Sequence, residues 1–382
     1  MAKKVIETSK AVAIAAKLCR PSVIAAYPIT PQTHIVERIA DFVYDRDMDS
    51  EFLDVESEHS ALSACLGAQA AGARTFTATA SQGLALMHEI LFVTSGMRLP
   101  VVMAIVNRAL SAPINIWGDH SDSIASRDSG WMQFYVESAQ EALDRIIMAY
   151  RIAENKDILL PAMVCLDGFT LSHVFEPVDI PEQKEVDKFL PSYSPLYRLD
   201  PKKPISMGPI GFPNSFMEFK YQQQEAMQKS ISLIKKTHEE FSNIFNRSYG
   251  NGLIEEFMTK DADYAVMAMG TITATARHVV EELRKKGKKV GLIKVKTFRP
   301  FPEEDIIKAA SKLKAIAVLD RDISFGQHGA LFSDIRSALQ NKDIIINNFI
   351  VGLGGRDVTS DHIKTAFDKT IKAKQTITEW LF

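Results

Sequence analysis

The sequence predicts an α/β protein with a parallel sheet, followed by a second, smaller α/β unit. Short apolar segments of strand length alternate with helical segments over residues 1–175, and the alternation returns over residues 251–382. Strands that alternate with helices form βαβ crossovers, which join parallel neighbours in a sheet. Residues 176–250 are rich in proline at first and then become periodic, which predicts an extended connector and a long helix.

Composition narrows the possible functions. The chain has 382 residues, 46% of them hydrophobic, which is enough for two domains with separate cores. The formal net charge is −2, and the strongest basic run, at 284–289, falls where a helix should end. No apolar run approaches membrane-spanning length, and the N-terminus lacks a signal-peptide core. We therefore expect a cytoplasmic protein that binds neither nucleic acid nor membrane.

Apolar periodicity places the elements of the first unit. The predicted strands are VIAAY at 23–27, EFLDV at 51–55, and segments 74–79, 99–106, 133–136 and 159–167; the predicted helices are 34–45, 60–71, 83–95 and 139–154. The strand ends at Tyr27, Val55, Thr79 and Val106 are expected along one edge of the sheet. In open parallel sheets, ligands bind beyond that edge.

The connector and the second unit are predicted in the same way. Apolar positions at three-four spacing over 220–248 predict an amphipathic helix, which could pack on its own chain or on a partner. The second unit should contain strands at 264–270, 289–298, 314–320 and 343–354, and helices at 273–286, 303–310 and 329–339.

Glu58 is the first candidate for chemistry. It lies between a predicted strand and a helix of small residues. The simple interpretation is an acid placed at a helix start, where the helix dipole favours it. The alternative is a carboxyl group in an apolar crevice, where it can share a proton with a heteroaromatic nitrogen.

Two further strand ends carry polar side chains. Arg108 directly follows a buried strand and needs an anionic partner, either a ligand or an acid of the following loop such as Asp119, Asp122 or Asp128. Ser81 and Gln82 form either a plain strand–helix turn or a helix start suited to an anion or a polar heterocycle edge.

The turn after the first strand holds the remaining candidates. In Tyr27-Pro28-Ile29-Thr30-Pro31, the Thr30 hydroxyl lies between two prolines, which suits it to a carboxylate oxygen; a helix start with proline is the plain alternative. The long polar segment 107–132 contains Trp117 and Trp131, so we expect an ordered loop over the pocket. His120 in that loop is interpreted as a hydrogen-bonding residue, and Gly352–Arg356 as a turn.

These motifs together resemble the α subunits of the 2-oxoacid:ferredoxin oxidoreductases, most closely the multi-subunit pyruvate:ferredoxin or pyruvate:flavodoxin type. The matching segments are AAYPITPQT, VESEHSALSACLGAQAAGART, TATASQGLALMHEIL, SGMRLPVVMAIVNRALSAPINIWGDHSDSIASRDSGWMQ, CLDGFTLSH, VKTFRPFPEEDI, AVLDRD and GLGGRD. The resemblance implies a pyrimidine-binding thiamine diphosphate domain over 1–175, a connector over 176–250, and a transketolase C-terminal-like domain over 251–382.

The resemblance also implies roles for the candidates. The glutamate matching Glu58 is catalytic and bonds N1′ of the cofactor's aminopyrimidine, while Thr30 and Arg108 match residues that hold the substrate carboxylate. Pro28, Ile29, Ser81 and Gln82 are expected to border the cofactor. The implied reaction is oxidative decarboxylation of pyruvate to acetyl-CoA and CO₂.

Partner subunits are implied because some expected parts are missing from this chain. It has no GDG…N motif for the diphosphate and Mg²⁺, and its three cysteines form no CxxC. We therefore expect no metal site here: Mg²⁺ and iron–sulfur clusters should lie on β, γ and δ partner chains, with thiamine diphosphate shared, and ferredoxin or flavodoxin as acceptor.

Two alternatives stay open at this point. The substrate could be another 2-oxoacid (2-oxoglutarate, a branched-chain 2-oxoacid or oxalate), a choice that Thr30 and the loop after Arg108 would determine. Ala112, Pro113 and Ile114 indicate a small apolar pocket and so favour pyruvate. Alternatively, the chain is a scaffold subunit that has lost the chemistry.

Overall fold

A computed structural model describes residues 2–382 of the chain and contains three sheets. The N-terminal strands are β1 (Ala2–Glu7), β2 (Val23–Ala26), β3 (Glu51–Asp54), β4 (Thr75–Thr79), β5 (Val102–Asn107), β6 (Met132–Tyr135), β7 (Ala162–Asp167) and β8 (Phe175–Ile180). The helices among them are α1 (Thr8–Cys19), α2 (Thr33–Tyr44), α3 (Glu58–Ala70), α4 (Ser81–Leu86), α5 (His88–Gly96), α6 (Ser121–Ala125), α7 (Ala139–Ala153) and α8 (Gln183–Phe189).

A long helix and a second α/β unit follow. They comprise α9 (Phe216–Phe245), β9 (Ile254–Phe257), β10 (Tyr264–Ala268), α10 (Ile272–Lys285), β11 (Val290–Val295), β12 (Thr297–Arg299), α11 (Glu303–Ala310), β13 (Ala315–Asp320), α12 (Ala330–Ala338), β14 (Ile345–Val351), α13 (Ser360–Lys372) and β15 (Thr378–Leu381).

The main sheet has seven strands in the order β12-β6-β7-β5-β4-β2-β3. All its pairs are parallel except β12 with β6. The carboxyl ends of β2, β3, β4 and β5 therefore share one edge of the sheet. The predicted α/β class and the predicted edge are confirmed.

The second sheet has six strands in the order β15-β14-β13-β10-β11-β9, parallel except for β9. The segment predicted as one strand at 289–298 is two strands, because the chain leaves this sheet after Val295 and enters the main sheet as β12. The second unit thus supplies an edge strand to the first.

Some elements carry little signal in the sequence. β1 and β8 form a separate antiparallel pair, and α8 lies in the stretch predicted to be an extended connector. β1 contains two lysines and β8 a proline, so neither shows the apolar run of a buried strand. The predicted helix 83–95 is divided at Met87 into α4 and α5.

The long helix α9 packs on its own chain, which the sequence left open. Ile234, Phe241 and Phe245 in its C-terminal half are buried, and Phe241 meets Phe189 of α8 edge-to-face with ring centroids 5.3 Å apart. Its first turns leave Phe216 and Phe219 exposed. Over residues 2–382, no helix combines the length and the apolarity that crossing a membrane requires.

A buried ionic cluster joins the two units. The Glu141 carboxylate at the start of α7 accepts from Lys294 Nζ of β11 at 2.6 Å and from Lys296 Nζ. All three side chains are almost fully buried. Burial lowers the pKa of Lys294 to about 8 and the pKa of Lys296 to about 7. Glu141 is the nearest anion to both ammonium groups, with Glu137 3.3 Å from Lys294 and Glu255 3.9 Å from Lys296.

We expect Glu141→Ala to destabilise the chain by about 3–5 kcal/mol, because it removes the nearest anion of two buried cations. Denaturant unfolding of the purified protein measures the change. The control is Asp368→Ala, which removes an exposed partner of Lys288 and should change stability by less than about 1 kcal/mol. An equal effect of the two substitutions would contradict this account.

Candidate functional site

Asp122 of α6 connects the ends of β4 and β5. Its Oδ2 accepts the backbone N–H of Ser81 at 2.9 Å and that of Arg108 at 3.0 Å. Its Oδ1 accepts from Asn107 Nδ2 and from the N–H of Ser123, both at 2.7 Å. Burial raises the pKa of Asp122 to about 6, although these donors act in the opposite direction. One carboxylate therefore holds two strand ends and the loop in register.

Ser81 begins α4 in a left-handed conformation, with φ 47°. Its hydroxyl donates to the carbonyl of Ala109 at 2.6 Å, and the side chain is fully buried. Gln82 is half-buried, with Oε1 2.6 Å from Ser81 Oγ. The start of α4 is thus oriented by the segment that follows β5, which explains why a non-glycine residue is held at positive φ.

Glu58 is the first residue of α3, after the N-cap Ser57, whose hydroxyl accepts the N–H of Ser60. Glu58 is only 7% exposed, and no described residue bonds its carboxylate. A Cβ on Gly83 would lie 2.7 Å from Glu58 Oε1 and 2.4 Å from Thr79 Oγ1, so only glycine lets α4 approach this closely. The Thr79 hydroxyl is buried and has no partner.

Arg108 is 7% exposed, and backbone carbonyls hold its guanidinium. Nε donates to Asn115 O at 2.7 Å and Nη1 to Thr30 O at 2.9 Å. Within residues 2–382 no carboxylate lies within 4.0 Å of the guanidinium, so the alternative of a structural ion pair with Asp119, Asp122 or Asp128 is excluded. Asp122 accepts the backbone N–H of Arg108 instead. Two of the five guanidinium N–H groups are used.

The turn from Pro28 to Thr30 lies beside Arg108. The Ile29 N–H donates to Gln32 Oε1 at 3.2 Å, and Gln32 Nε2 donates to Ala78 O of β4 at 2.9 Å. Pro28 and Thr30 are exposed, and Ile29 is half-buried. The structure therefore brings together the turn, Arg108 and Ser81 through hydrogen bonds, with Glu58 adjoining through Gly83.

The loop 107–132 is ordered, as predicted, and packs on the second unit. Gly355 lies so close to Trp117 that a Cβ would meet the Trp117 Cβ at 2.2 Å, and the Gly354 N–H donates to Asp119 Oδ2 at 2.9 Å. The predicted turn at 352–356 is confirmed. Ala112, Pro113 and Ile114 are exposed, so they do not enclose a pocket in this chain by themselves.

Asp167, at the end of β7, ties the site to the second unit, and sequence reasoning missed it. Its carboxylate receives His120 Nε2 at 2.8 Å, Arg321 Nη1 at 3.0 Å and the Thr271 N–H at 2.8 Å. His120 is thus a hydrogen-bonding residue, as predicted. Burial opposes ionisation, but Arg321 and His120 hold the pKa of Asp167 well below its usual range. The sequence could have indicated Asp167 as a site residue, because it lies at the end of a predicted strand, as Arg108 does.

Two family models match the chain. The model described as pyruvate flavodoxin/ferredoxin oxidoreductase, thiamine diphosphate-binding, covers residues 14–239, and pyruvate:ferredoxin oxidoreductase core domain II covers residues 262–363. Among solved structures, the chain resembles the 2-oxoglutarate:ferredoxin oxidoreductase of Magnetococcus marinus (TM-score 0.73, 19% identity, 97% of this chain and 65% of that one). It also resembles a split-gene transketolase (TM-score 0.57, 14% identity, 97% of this chain and all of that one).

Curated relatives match almost end to end. Pyruvate synthase subunit PorA of Methanocaldococcus jannaschii is 55% identical to this chain, and the match covers 99% of this chain and 97% of the relative. The PorA subunit of Pyrococcus furiosus is 52% identical, and the match covers 97% of this chain and 94% of the relative. The ketoisovalerate oxidoreductase subunit VorA of Pyrococcus horikoshii is 47% identical, and the match covers 95% of this chain and 92% of the relative.

These matches define an α/β fold of the thiamine diphosphate type. The chain belongs to the pyruvate flavodoxin/ferredoxin oxidoreductase family, a family of oxidoreductases. The family predicted from sequence is confirmed.

We expect Asp122→Asn to destabilise the loop and reduce activity. An amide has only one oxygen, so it cannot accept hydrogen bonds at the positions of both carboxylate oxygens. Each buried N–H group left without an acceptor costs about 1–3 kcal/mol. Thermal unfolding and turnover of the assembled enzyme measure the effect. Asp128→Asn, on the same loop with an 81% exposed side chain, is the matched control. Unchanged stability in the Asp122 variant would show that its four hydrogen bonds do not organise the edge.

Proposed function

We propose that this chain is the α-type subunit of a multi-subunit enzyme that converts pyruvate, with coenzyme A, to acetyl-CoA and CO₂. The observation that carries the proposal is the 55% identity, over nearly the whole of both chains, to a pyruvate synthase subunit PorA. Electrons leave through partner subunits to ferredoxin or flavodoxin.

The residues around Glu58 fit the aminopyrimidine of thiamine diphosphate. The Glu58 side chain is only 7% exposed and accepts no hydrogen bond from a described residue, which leaves its carboxylate free to accept one from a ligand. The unpartnered Thr79 hydroxyl borders the same space, and Gly83 adds no side chain to it. Glu58 would hold a shared proton at the pyrimidine nitrogen N1′, where the dry surroundings strengthen that bond. Pro28, Ile29, Ser81 and Gln82 would border the ring.

When bound, the cofactor supplies the carbon nucleophile for the 2-oxoacid carbonyl and the electron sink for decarboxylation. Arg108 orients the substrate. Its unused guanidinium N–H groups offer a charge-assisted pair of bonds to a carboxylate, and its Nη1 bond to the Thr30 carbonyl keeps Thr30 beside it. Positioning of this kind holds the keto carbon in place for the reaction.

Partner chains supply the remaining parts in this proposal. Cys19, Cys65 and Cys165 are buried and free, and burial raises the pKa of each thiol, that of Cys65 to about 12, so none suits a cluster ligand. The iron–sulfur clusters, the Mg²⁺ and the diphosphate contacts would therefore lie on β, γ and δ subunits in a cytoplasmic complex. The exposed Ala112–Ile114 segment would be covered there.

A second candidate is oxidation of a branched-chain 2-oxoacid, which the 47% identity to the VorA subunit favours. A substrate panel decides between the two: the reconstituted complex is supplied with pyruvate, 2-oxoisovalerate or 2-oxoglutarate while viologen reduction is followed. The highest kcat/KM is expected for pyruvate. A preference for the branched acid would replace the proposed substrate and leave the proposed reaction type intact.

Glu58→Gln should abolish turnover in the assembled complex and leave assembly intact, because the isosteric amide keeps the packing against Gly83 but cannot hold the shared proton. Turnover and gel filtration of the complex measure both properties. Glu56→Gln, exposed and two residues earlier, is the matched control. Near-normal turnover in the Glu58 variant would contradict the role and favour a scaffold subunit.

Arg108→Lys should raise KM for the oxoacid about tenfold or more, since a single ammonium cannot reproduce the planar donor set. Steady-state kinetics measure the change, and cofactor retention should be unaffected. Arg127→Lys on the same loop, whose nearest acid is Asp128 at 3.9 Å, provides the control. An unchanged KM would place the carboxylate elsewhere.

A further inference from the structure

Glu7, His34 and His173, none of which is among the site residues described above, converge in the fold. Glu7 ends β1, His34 lies in the first turn of α2, and His173 follows β7. One carboxylate oxygen and one ring nitrogen from each histidine all lie within 4.8 Å of one another. Among residues 2–382, these three side chains form the only group of potential metal ligands that lie this close together. They come from three separate parts of the fold.

The backbone holds two of these side chains in place. The N–H of Thr8 donates to Val174 O and that of Ser9 to Ser172 O, both at 3.0 Å. The Ser9 hydroxyl donates to the same Ser172 carbonyl at 2.8 Å. The junction that carries Glu7 is therefore fastened to the turn that carries His173, and the distance between the two ligands is built into the fold.

The His173 ring is also oriented. Its Nδ1 lies 2.7 Å from Ser172 Oγ, which in turn accepts the Phe169 N–H at 2.9 Å. The ring packs between Phe169 and His34, with centroid distances of 4.7 Å and 4.5 Å. A hydroxyl or carbonyl that fixes one nitrogen of a histidine is the usual support for a metal-binding imidazole.

The donor set suits a metal as well. His34 and His173 each offer an imidazole nitrogen, a common ligand of divalent transition metals. The Glu7 carboxylate, with 11% of its side chain exposed, contributes the single negative charge of the cluster.

An ion pair between Glu7 and a protonated His34 would account for their 2.7 Å contact. It would not involve His173, whose ring centroid lies 4.5 Å from that of His34 with the two rings tilted by 40°. Metal–ligand bonds of about 2.0–2.2 Å place the ligands of a tetrahedral ion about 3.3–3.6 Å apart. The His34 side chain is 45% exposed and can turn to open the 2.7 Å contact to that distance.

We propose that Glu7, His34 and His173 bind one divalent transition-metal ion, of the class that prefers nitrogen and oxygen ligands, with solvent at the open position. Two imidazoles and a carboxylate form a common donor set for such ions, and three protein ligands leave a coordination position free. The three proposed ligands are different residues from Glu58 and Arg108, and the proposed ion is distinct from the metal that the cofactor would carry.

The test uses the full chain after treatment with a chelator, titrated calorimetrically with Zn²⁺. One ion per chain is expected, and His34→Gln and His173→Gln should each weaken its binding by at least tenfold. His278→Gln is the matched control, because His278 also faces a glutamate, Glu282 at 3.4 Å, but has no second histidine. Equal binding by all four proteins, or no Zn²⁺ binding by the wild type, would overturn the proposal.

Co²⁺ provides an independent measurement. The wild-type chain should give the visible absorption of a nitrogen- and oxygen-ligated ion. The His34→Gln substitution, at a half-buried position, should abolish it without altering the circular dichroism spectrum. A Co²⁺ spectrum unchanged by His34→Gln would show that the ion binds elsewhere.

Discussion

The arrangement of the candidate site depends on one buried carboxylate. Two parallel strands end side by side, and the chain beyond each end presents backbone N–H groups away from water. Asp122 accepts both, from Ser81 and from Arg108, and with its other oxygen it holds Asn107 and the start of its own helix. Because these donors belong to segments that carry candidate residues, one side chain sets the distance between them.

Two other buried carboxylates fasten the second unit to this edge. Asp167 binds Arg321 and Thr271 at the end of β7, and Glu141 binds Lys294 and Lys296 at the start of α7. The main sheet also receives β12 from the second unit. A buried ion pair is tolerated only where both charges keep their partners. The loop 107–132 is therefore held between two units that have little freedom to move apart.

Against this rigid frame, Glu58 and Arg108 have unused bonding capacity. Glu58 is buried without a donor from the described residues, and Arg108 uses only two of its N–H groups, both on carbonyls. Elsewhere in the molecule, buried acids such as Asp122, Asp167 and Glu141 are well satisfied. The contrast marks the positions where a ligand would complete the bonding. The loop segment at 112–114 and the first turns of α9 leave large apolar side chains exposed, among them Ile114, Phe216 and Phe219.

The sequence by itself determined the α/β class, most strands and helices, and the strand-end positions of Glu58, Ser81 and Arg108, because apolar periodicity and chain order are local properties. It did not reveal β1, β8 and α8, whose lysines and prolines mask the periodic signal, or the switch of β12 between sheets. Only the tertiary structure decided that Arg108 has no acidic partner and that Asp122 joins segments up to 41 residues apart. Likewise, only folding brought Glu7 to His34 and His173. Which groups satisfy a buried charge depends on distances that chain order does not specify.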